Sequence, residues 1–164
     1  MGCLRWVTML FMGVILAVPA YGRTARQADP AVAAEARQSL EAMLDLWRDG
    51  NYGALFDRTS LSGRESREGF ARKLSNASRR PSCCWEKMQE VRVSGKSDDA
   101  VSVRARFGLD GPGETEYTTR SVRLVREEGE WRASQTDILA LAGEKRKKAR
   151  RTATHRKSGE SSFP

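Results

Sequence analysis

The chain has 164 residues, of which 39% are hydrophobic, 7% aromatic and 30% charged, and its formal net charge is +8. This length is sufficient for one domain with its own core, and the composition excludes a polytopic membrane protein and a wholly disordered chain. The charge is uneven, because residues 23–143 carry 20 basic and 19 acidic groups, whereas residues 144–164 carry eight and two. A nearly neutral central part argues against a nucleic-acid-binding domain.

The N-terminus has the pattern of a secretory signal peptide. Arg5 makes the first residues positive, and an uncharged run follows over residues 6–18. This run is shorter than the ~18–20 residues that span a bilayer, and Ala20 and Gly22 are small residues at the −3 and −1 positions of a cleavage site. We therefore expect residues 1–22 to be a signal peptide and the protein to be periplasmic or extracellular. The alternatives are cleavage after Ala20, an uncleaved anchor, or a buried N-terminal helix.

Three helices are predicted after the signal segment. Asp29 and Pro30 have the residue types preferred at an N-cap and a first helical position, and Gly50 is a predicted C-cap. A short second helix is expected over residues 54–58 and a third over residues 65–79. Apolar residues at helical spacing define the buried face of the first helix: Val32, Ala36, Leu40, Met43, Leu44 and Trp47.

Beyond residue 81 the apolar spacing changes to the alternation of β-strands. Four strands are predicted over residues 84–94, 101–109, 114–127 and 131–141, with a bulge near Gln89. Short turns join them, so neighbouring strands must be antiparallel. The sequence therefore predicts an α+β fold, with N-terminal helices packed on a curved four-stranded antiparallel meander sheet.

The adjacent cysteines Cys83 and Cys84 have three open states in an oxidising compartment. They form a vicinal disulfide, one of them pairs with another chain, or both stay reduced and partly buried. No second cysteine pair exists and His155 is the only histidine, so no metal site is expected. With His155 as the only histidine, histidine-based acid–base catalysis and a Ser-His triad are excluded. The sequence also has no Gly-rich phosphate loop, so no cofactor is expected.

The basic C-terminal segment, residues 144–164, has few apolar residues and is expected to remain disordered, which leaves residues 23–143 as the folded domain. One interpretation is a passive, solubilising tail. The other is electrostatic docking on an anionic envelope surface such as lipid head groups. Specific nucleic-acid binding is not expected, because interleaved aromatic residues are missing. The basic cluster begins with Lys145, Arg146, Lys147, Lys148, Arg150 and Arg151.

Two local patterns resemble the nuclear-transport-factor-two-like superfamily. Residues 44–55 are similar to that family's corner of helix, Gly, polar residue, Tyr and Leu, and residues 122–132 are similar to its closing hairpin with an acidic residue, Gly, Trp and Arg. The resemblance extends over residues 34–142. It implies an exported bacterial-type member with a cystatin-like cone of helices over a curved sheet.

The resemblance also implies a pocket between helices and sheet that takes a small apolar ligand. Gln135 and Asp137 are polar residues on an apolar row of the predicted last strand, so each must line a cavity or find a partner. For Asp137, the partner would be an arginine or a nearby turn. The candidate lining residues are Trp47, Trp85, Tyr117, Trp131, Gln135 and Asp137.

Three functions remain open, because this fold carries enzymes and non-enzymes alike. The main hypothesis is an exported, non-catalytic binding or accessory protein of the cell envelope. The second is an isomerase- or dehydratase-type enzyme with Asp137 as base and Tyr117 as donor, which requires a closed pocket holding both groups. The third is a homodimeric scaffold, which requires an exposed apolar stripe on the sheet.

Overall fold

The computed structural model describes residues 26–60 and 62–144. The predicted signal peptide and the basic cluster after Glu144 lie outside these residues. The described part confirms the α+β class, with helices packed on a strongly curled antiparallel sheet. Its elements are α1 (Pro30–Arg48), α2 (Tyr52–Asp57), α3 (Arg67–Ser75), β1 (Arg80–Pro81), a 3₁₀ turn (Cys84–Lys87), β2 (Gln89–Ser97), β3 (Ala100–Asp110), β4 (Thr115–Glu127), β5 (Glu130–Ala133) and α4 (Gln135–Leu141).

Helix α1 begins and ends where its sequence predicts. The Asp29 carboxylate accepts a hydrogen bond of 2.9 Å from the Ala31 amide, and Pro30 follows at the first helical position. Gly50 has a φ of 76°, a left-handed conformation that glycine adopts without steric cost. The amides of Gly50 and Asn51 donate to carbonyls of the last turn, which satisfies groups that a helix end leaves free.

The sheet is four strands wide. β3 pairs with β4 along one edge, and β4 pairs with β5, whereas β1 and β2 lie end to end along the other edge of β3. All these pairings are antiparallel. The width and the direction of the strands agree with the predicted four-stranded meander.

Alternation along β3 separates a buried inner face from an outer face. Residues directly opposite one another on paired strands share a face, so the β2–β3–β4 register assigns the remaining strands as well. The inner row of β3 is buried throughout, as its sequence predicts: Val101, Val103, Ala105, Phe107 and Leu109. The outer row of the same strand contains Ser102, Arg104, Arg106 and Gly108.

The space between helices and sheet is filled with side chains. The predicted face of α1 is buried except at its first member, Val32, which is only partly covered. The largest side chains with almost no exposure include Trp47, Phe70, Phe107, Leu40, Met43 and Leu44. None of the helices in the described part combines the length and apolar content needed to cross a membrane.

The first long strand starts later than predicted. Residues 84–87 form a 3₁₀ turn, and β2 begins at Gln89. A disulfide joins Cys83 to Cys84, and Cys84 has a φ of 59°, which is incompatible with an extended strand. The expected bulge is present, because the register shifts between Gln89 and Arg92.

The prediction of a last strand over residues 131–141 is wrong. β5 ends at Ala133 and helix α4 follows. A helix buries the adjacent residues Ile138 and Leu139 together, which strict alternation in a strand does not. The polar contacts of Gln135 and Asp137, described below, hold the first turn of α4 in place.

Helices α2 and α3 differ from their predictions mainly at the ends. α2 begins two residues early, because the Asn51 side chain accepts a hydrogen bond from the Ala54 amide. α3 begins after Ser66, whose hydroxyl accepts from the Gly69 amide at 3.0 Å. It ends at Ser75 rather than at residue 79, so Ala77 lies outside the helix and is only partly buried.

Candidate functional site

A groove of about 760 Å³ opens between the C-terminal ends of α3 and α4 and the first half of β4. Here β4 places Thr118 and Arg120 on the inner face, opposite Phe107 and Ala105. Arg120 is nevertheless exposed, because the helices leave this part of the concave surface uncovered. The groove therefore corresponds to the opening of the cone.

Two cations at the groove are neutralised by neighbouring acids. Lys73 contacts Glu65 at 2.6 Å and Glu144 at 2.7 Å. The hydrogen bond to Glu144, followed by the one to Glu65, raises the pKa of Lys73. Arg79 pairs in the same way with Glu116, at 2.8 Å.

Two further cations at the groove are not neutralised. Arg72, in the last turn of α3, and Arg120, on β4, form no ion pair with any residue in the described ranges. Apolar side chains of Ala77, Leu139 and Ala142 line the same groove. Guanidinium groups bind carboxylate and phosphate through two parallel hydrogen bonds, so this setting suits an anionic group with an apolar part.

The predicted site residues Trp47 and Trp131 are structural anchors. Trp47 is fully buried, and its indole N–H has no hydrogen-bond partner in the part of the chain that the structure describes. Trp131 starts the closing hairpin and is 5% exposed. Its indole N–H donates to Glu35 at 3.4 Å, and the guanidinium of Arg126 lies 4.7 Å from its ring centre. Neither indole lines the groove.

Gln135 fastens α4 to the loop before α3. Its amide nitrogen donates to the Thr59 hydroxyl at 3.3 Å, and its amide oxygen accepts from the Glu65 backbone at 3.2 Å. The side chain also fills the space over Gly63, where an added Cβ would lie 1.9 Å from it. Gln135 is therefore buried, its side-chain amide is hydrogen-bonded, and it does not line the groove.

Asp137 is held by an arginine. Its carboxylate accepts from the Arg123 backbone amide at 3.1 Å and from the Arg123 Nε at 2.9 Å. The hydrogen bond to Asp137 raises the pKa of Arg123. The sequence left three roles open for Asp137, namely lining a cavity, capping a nearby turn and pairing with an arginine, and the structure shows the arginine pair.

Tyr117 and Trp85 are on the opposite side of the sheet from the groove. Tyr117 is the outer-face partner of Gly108, and its hydroxyl donates to Glu86 at 3.2 Å. Partial burial, followed by the nearby Glu86 carboxylate, raises the pKa of Tyr117. Trp85, directly before Glu86, is 72% exposed. The resemblance implied that both aromatic residues line the pocket between helices and sheet. The structure places them on the other side of the sheet.

The proposed base and donor are not assembled into one site. Arg123, which binds Asp137, lies six residues from Tyr117 along β4, a distance of about 20 Å in an extended strand. The acids of the groove are engaged by cations, and nowhere in residues 26–60 and 62–144 do three potential metal-binding side chains converge. What the groove offers is its two unpaired arginines.

The sequence analysis did not identify Arg72 and Arg120. A signal was present for Arg120, which lies on the same alternation as the buried residues Val122 and Leu124. A basic residue on a core-facing row indicates either a partner or an opening in the core. For Arg72, on an amphipathic helix, no comparable signal exists.

No protein-family model matches this chain, and no curated protein does so either. Among solved structures, the chain resembles Aln2 from a Streptomyces species, with a TM-score of 0.51 and 16% identity over 71% of this chain and 99% of Aln2. A candidate polyketide cyclase from Xanthomonas campestris pv. campestris gives a TM-score of 0.44 and 14% identity, over 68% and 98% of the two chains. The likeness to Aln2 concerns the fold alone. It supports the observed arrangement of helices over a curled antiparallel sheet.

Proposed function

We propose that this protein is a non-catalytic binding protein whose groove holds a small amphiphile with an anionic head. The observation that carries this proposal is the pair Arg72 and Arg120, which line one groove without a carboxylate partner in the described part of the chain. An anionic head would bind the two guanidinium groups, and its apolar part would pack on Leu139 and Ala77. The volume of about 760 Å³ is within the range of small-ligand sites.

The arrangement of the acids supports binding rather than catalysis. A general base must be within reach of the proton that it removes, whereas Asp137 is 6% exposed and bound by Arg123. Tyr117, the donor of the enzyme hypothesis, is on the outer face of the sheet. The central part of that face carries arginine, serine and threonine residues instead of a continuous apolar stripe, which gives no support to a scaffold that dimerises through it.

The groove can be tested with dodecanoate and, as its uncharged counterpart, dodecanol. We expect dodecanoate to raise the unfolding midpoint of the protein, because a ligand that binds only the folded state stabilises it. Dodecanol should have little effect. In the double variant Arg72→Gln/Arg120→Gln, dodecanoate affinity measured by calorimetry should fall by on the order of a hundredfold, because charge-assisted hydrogen bonds are lost.

The matched control is Arg92→Gln/Arg104→Gln, which removes the same charge from the outer face. It should bind dodecanoate as the unmodified chain does. Equal binding by both double variants would show that the groove arginines do not hold the anionic head, and the proposal would then be wrong.

We also propose that the protein is exported and acts in the cell envelope. The support is the sequence pattern of residues 1–22, with a mature N-terminus near Arg23. The intact mass of the exported form tests this proposal. A mass that corresponds to all 164 residues would contradict cleavage.

A further inference from the structure

The outer face of the sheet carries a row of arginines: Arg92, Arg104 and Arg106. Arg92 of β2 is directly opposite Arg104 of β3, and Arg106 follows two residues later on the same face. Both Arg92 and Arg104 are exposed. Hydroxyl side chains surround this arginine row on the same face: Ser94, Ser102, Thr119 and Ser121.

The charge of the arginine row is poorly compensated. Arg92 and Arg104 form no ion pair with any residue that the structure describes, and Arg106 has only Glu90, at 4.0 Å. Glu90 is itself 73% exposed, so this pair contributes little. Like charges directly opposite on neighbouring strands destabilise a sheet. An anionic partner would relieve this repulsion, and guanidinium groups match phosphate in geometry.

An exposed apolar tip lies at the end of the same face. Cys83, Cys84 and Trp85 are consecutive and exposed, and the disulfide between the two cysteines closes the tip. The following residue, Glu86, covers the outer side of Gly108, since a Cβ added there would lie 2.4 Å from the Glu86 carbonyl oxygen.

Tyr117 connects the apolar tip with the arginine row. Its hydroxyl donates to Glu86, and the guanidinium of Arg106 lies 4.2 Å from its ring centre. The cationic and the apolar parts of the outer face are therefore continuous through side-chain contacts.

We propose that the outer face of the sheet docks on an anionic lipid surface. The arginine row binds lipid phosphates, and Trp85 enters the head-group region, where indole rings are favoured because they combine an apolar body with a polar N–H. A hydrated soluble polyanion would satisfy the arginines but would leave the apolar tip in water. This surface is separate from the groove, so the proposal does not depend on the groove ligand.

Quenching of Trp85 by labelled lipid tests the proposal in the full chain. Vesicles of phosphatidylcholine with phosphatidylglycerol carry a nitroxide-labelled lipid, and subtracting the emission of a Trp85→Phe variant isolates the signal of Trp85. Because Trp85 is exposed, this variant should fold normally. We expect strong quenching of Trp85 on these vesicles and little on pure phosphatidylcholine.

Neutralising the arginine row should weaken this signal. Each basic group near an anionic surface contributes about 1 kcal/mol, which is about a fivefold change in affinity. In Arg92→Gln/Arg104→Gln, which loses two such groups, the lipid concentration for half-maximal quenching should therefore rise by on the order of thirtyfold. The groove variant Arg72→Gln/Arg120→Gln has the same net charge and should stay close to the unmodified chain.

Three results would overturn the proposal. The first is a chain that cosediments with the vesicles while Trp85 remains unquenched, which would mean that another part of the chain binds lipid. The second is equal quenching in the row and groove variants. The third is an unquenched Trp85 with heparin binding that depends on the arginine row, which would identify a soluble polyanion as the partner.

Discussion

Single buried side chains in this domain differ in whether their polar atoms have partners. Gln135 and Asp137 are both buried and both bonded. The indole N–H of Trp47 is buried without a partner in the described part of the chain. Removing a group that forms a buried hydrogen bond costs more than removing one that does not. The two kinds of position should therefore respond differently to substitution.

Trp47 provides the first test at this scale. Trp47→Ala should destabilise the domain by about 3–5 kcal/mol, because it leaves a large cavity in the core. Trp47→Phe should cost clearly less, since it retains most of the apolar contact and removes an N–H for which residues 26–60 and 62–144 provide no acceptor. Urea denaturation measures both free energies of unfolding. A cost for Trp47→Phe as large as that for Trp47→Ala would contradict the lack of a hydrogen bond.

Asp110 provides a test by pH. Hydrogen bonds from Ser82, followed by Thr115, lower the pKa of Asp110. A carboxyl whose pKa is lower in the folded state stabilises that state above its unfolded pKa of about 3.9. This contribution is lost as the pH falls through the folded pKa. Asp110→Asn should therefore be less stable than the unmodified protein at neutral pH.

The difference in the free energy of unfolding should shrink as the pH falls below about 4. Denaturation from about pH 2 to neutral pH measures it. Ser82→Ala should raise the pKa of Asp110 in an NMR titration. A stability difference that stays constant down to the lowest pH would refute this role for Asp110.

At the scale of elements, strongly periodic segments could be predicted and α4 could not. α1 and β3 have one consistent spacing each, and both occur where it predicts. Residues 131–141 fit either a strand or a helix, and the contacts that favour a helix, such as that of Gln135 with Thr59, join residues 76 apart. No local pattern contains such a contact. The 3₁₀ turn begins at Cys84, whose bond to Cys83 the sequence left open.

The candidate site, like the elements, could be predicted only in part. The groove lies at the end of the space between helices and sheet. Four of the six candidate residues have other partners or are buried anchors: Trp47, Trp131, Gln135 and Asp137. Tyr117 is on the outer face because it lies opposite Gly108 in the β3–β4 register. Trp85 belongs to the 3₁₀ turn, which folds over the outer side of Gly108. The side of the sheet that a loop covers is decided by tertiary packing.

The contact between α4 and the loop before α3 can be tested at Gly63. Gly63→Ala would place a Cβ 1.9 Å from the Gln135 side chain, which must then move and lose its hydrogen bonds to Thr59 and Glu65. We expect a loss of about 1–3 kcal/mol in the free energy of unfolding. In a Gln135→Ala background the same substitution should cost much less, and a double-mutant cycle measures this coupling. Additive costs would show that the two residues do not interact.

For the whole molecule, the distribution of charge is more informative than the total. The groove and the outer face each keep two arginines, Arg72 with Arg120 and Arg92 with Arg104, that form no ion pair in the described part. The C-terminal segment adds eight more basic residues outside the described part. Charge of this kind attracts anionic surfaces in general, and it is not an argument about the fold.

Removing residues 145–164 tests the contribution of the tail. The truncated chain retains Glu144, which pairs with Lys73, so its unfolding midpoint should stay nearly unchanged. Cosedimentation with anionic vesicles should weaken strongly at low salt, because each basic residue near the surface is worth about 1 kcal/mol. Molar salt should abolish the contribution of the tail. Equal binding with and without the tail would favour the passive interpretation.

The contacts that close the domain also determine when it can fold. Trp131 donates to Glu35 across 96 residues, and Gln135 to Thr59 across 76. Contacts between residues so far apart in sequence form only after large loops have closed, and closing a large loop costs conformational entropy. The first helices therefore emerge during synthesis without the partners that cover them. A chain that reaches its native state only after its last elements are available stays unfolded for longer after synthesis begins, which is compatible with the export proposed above.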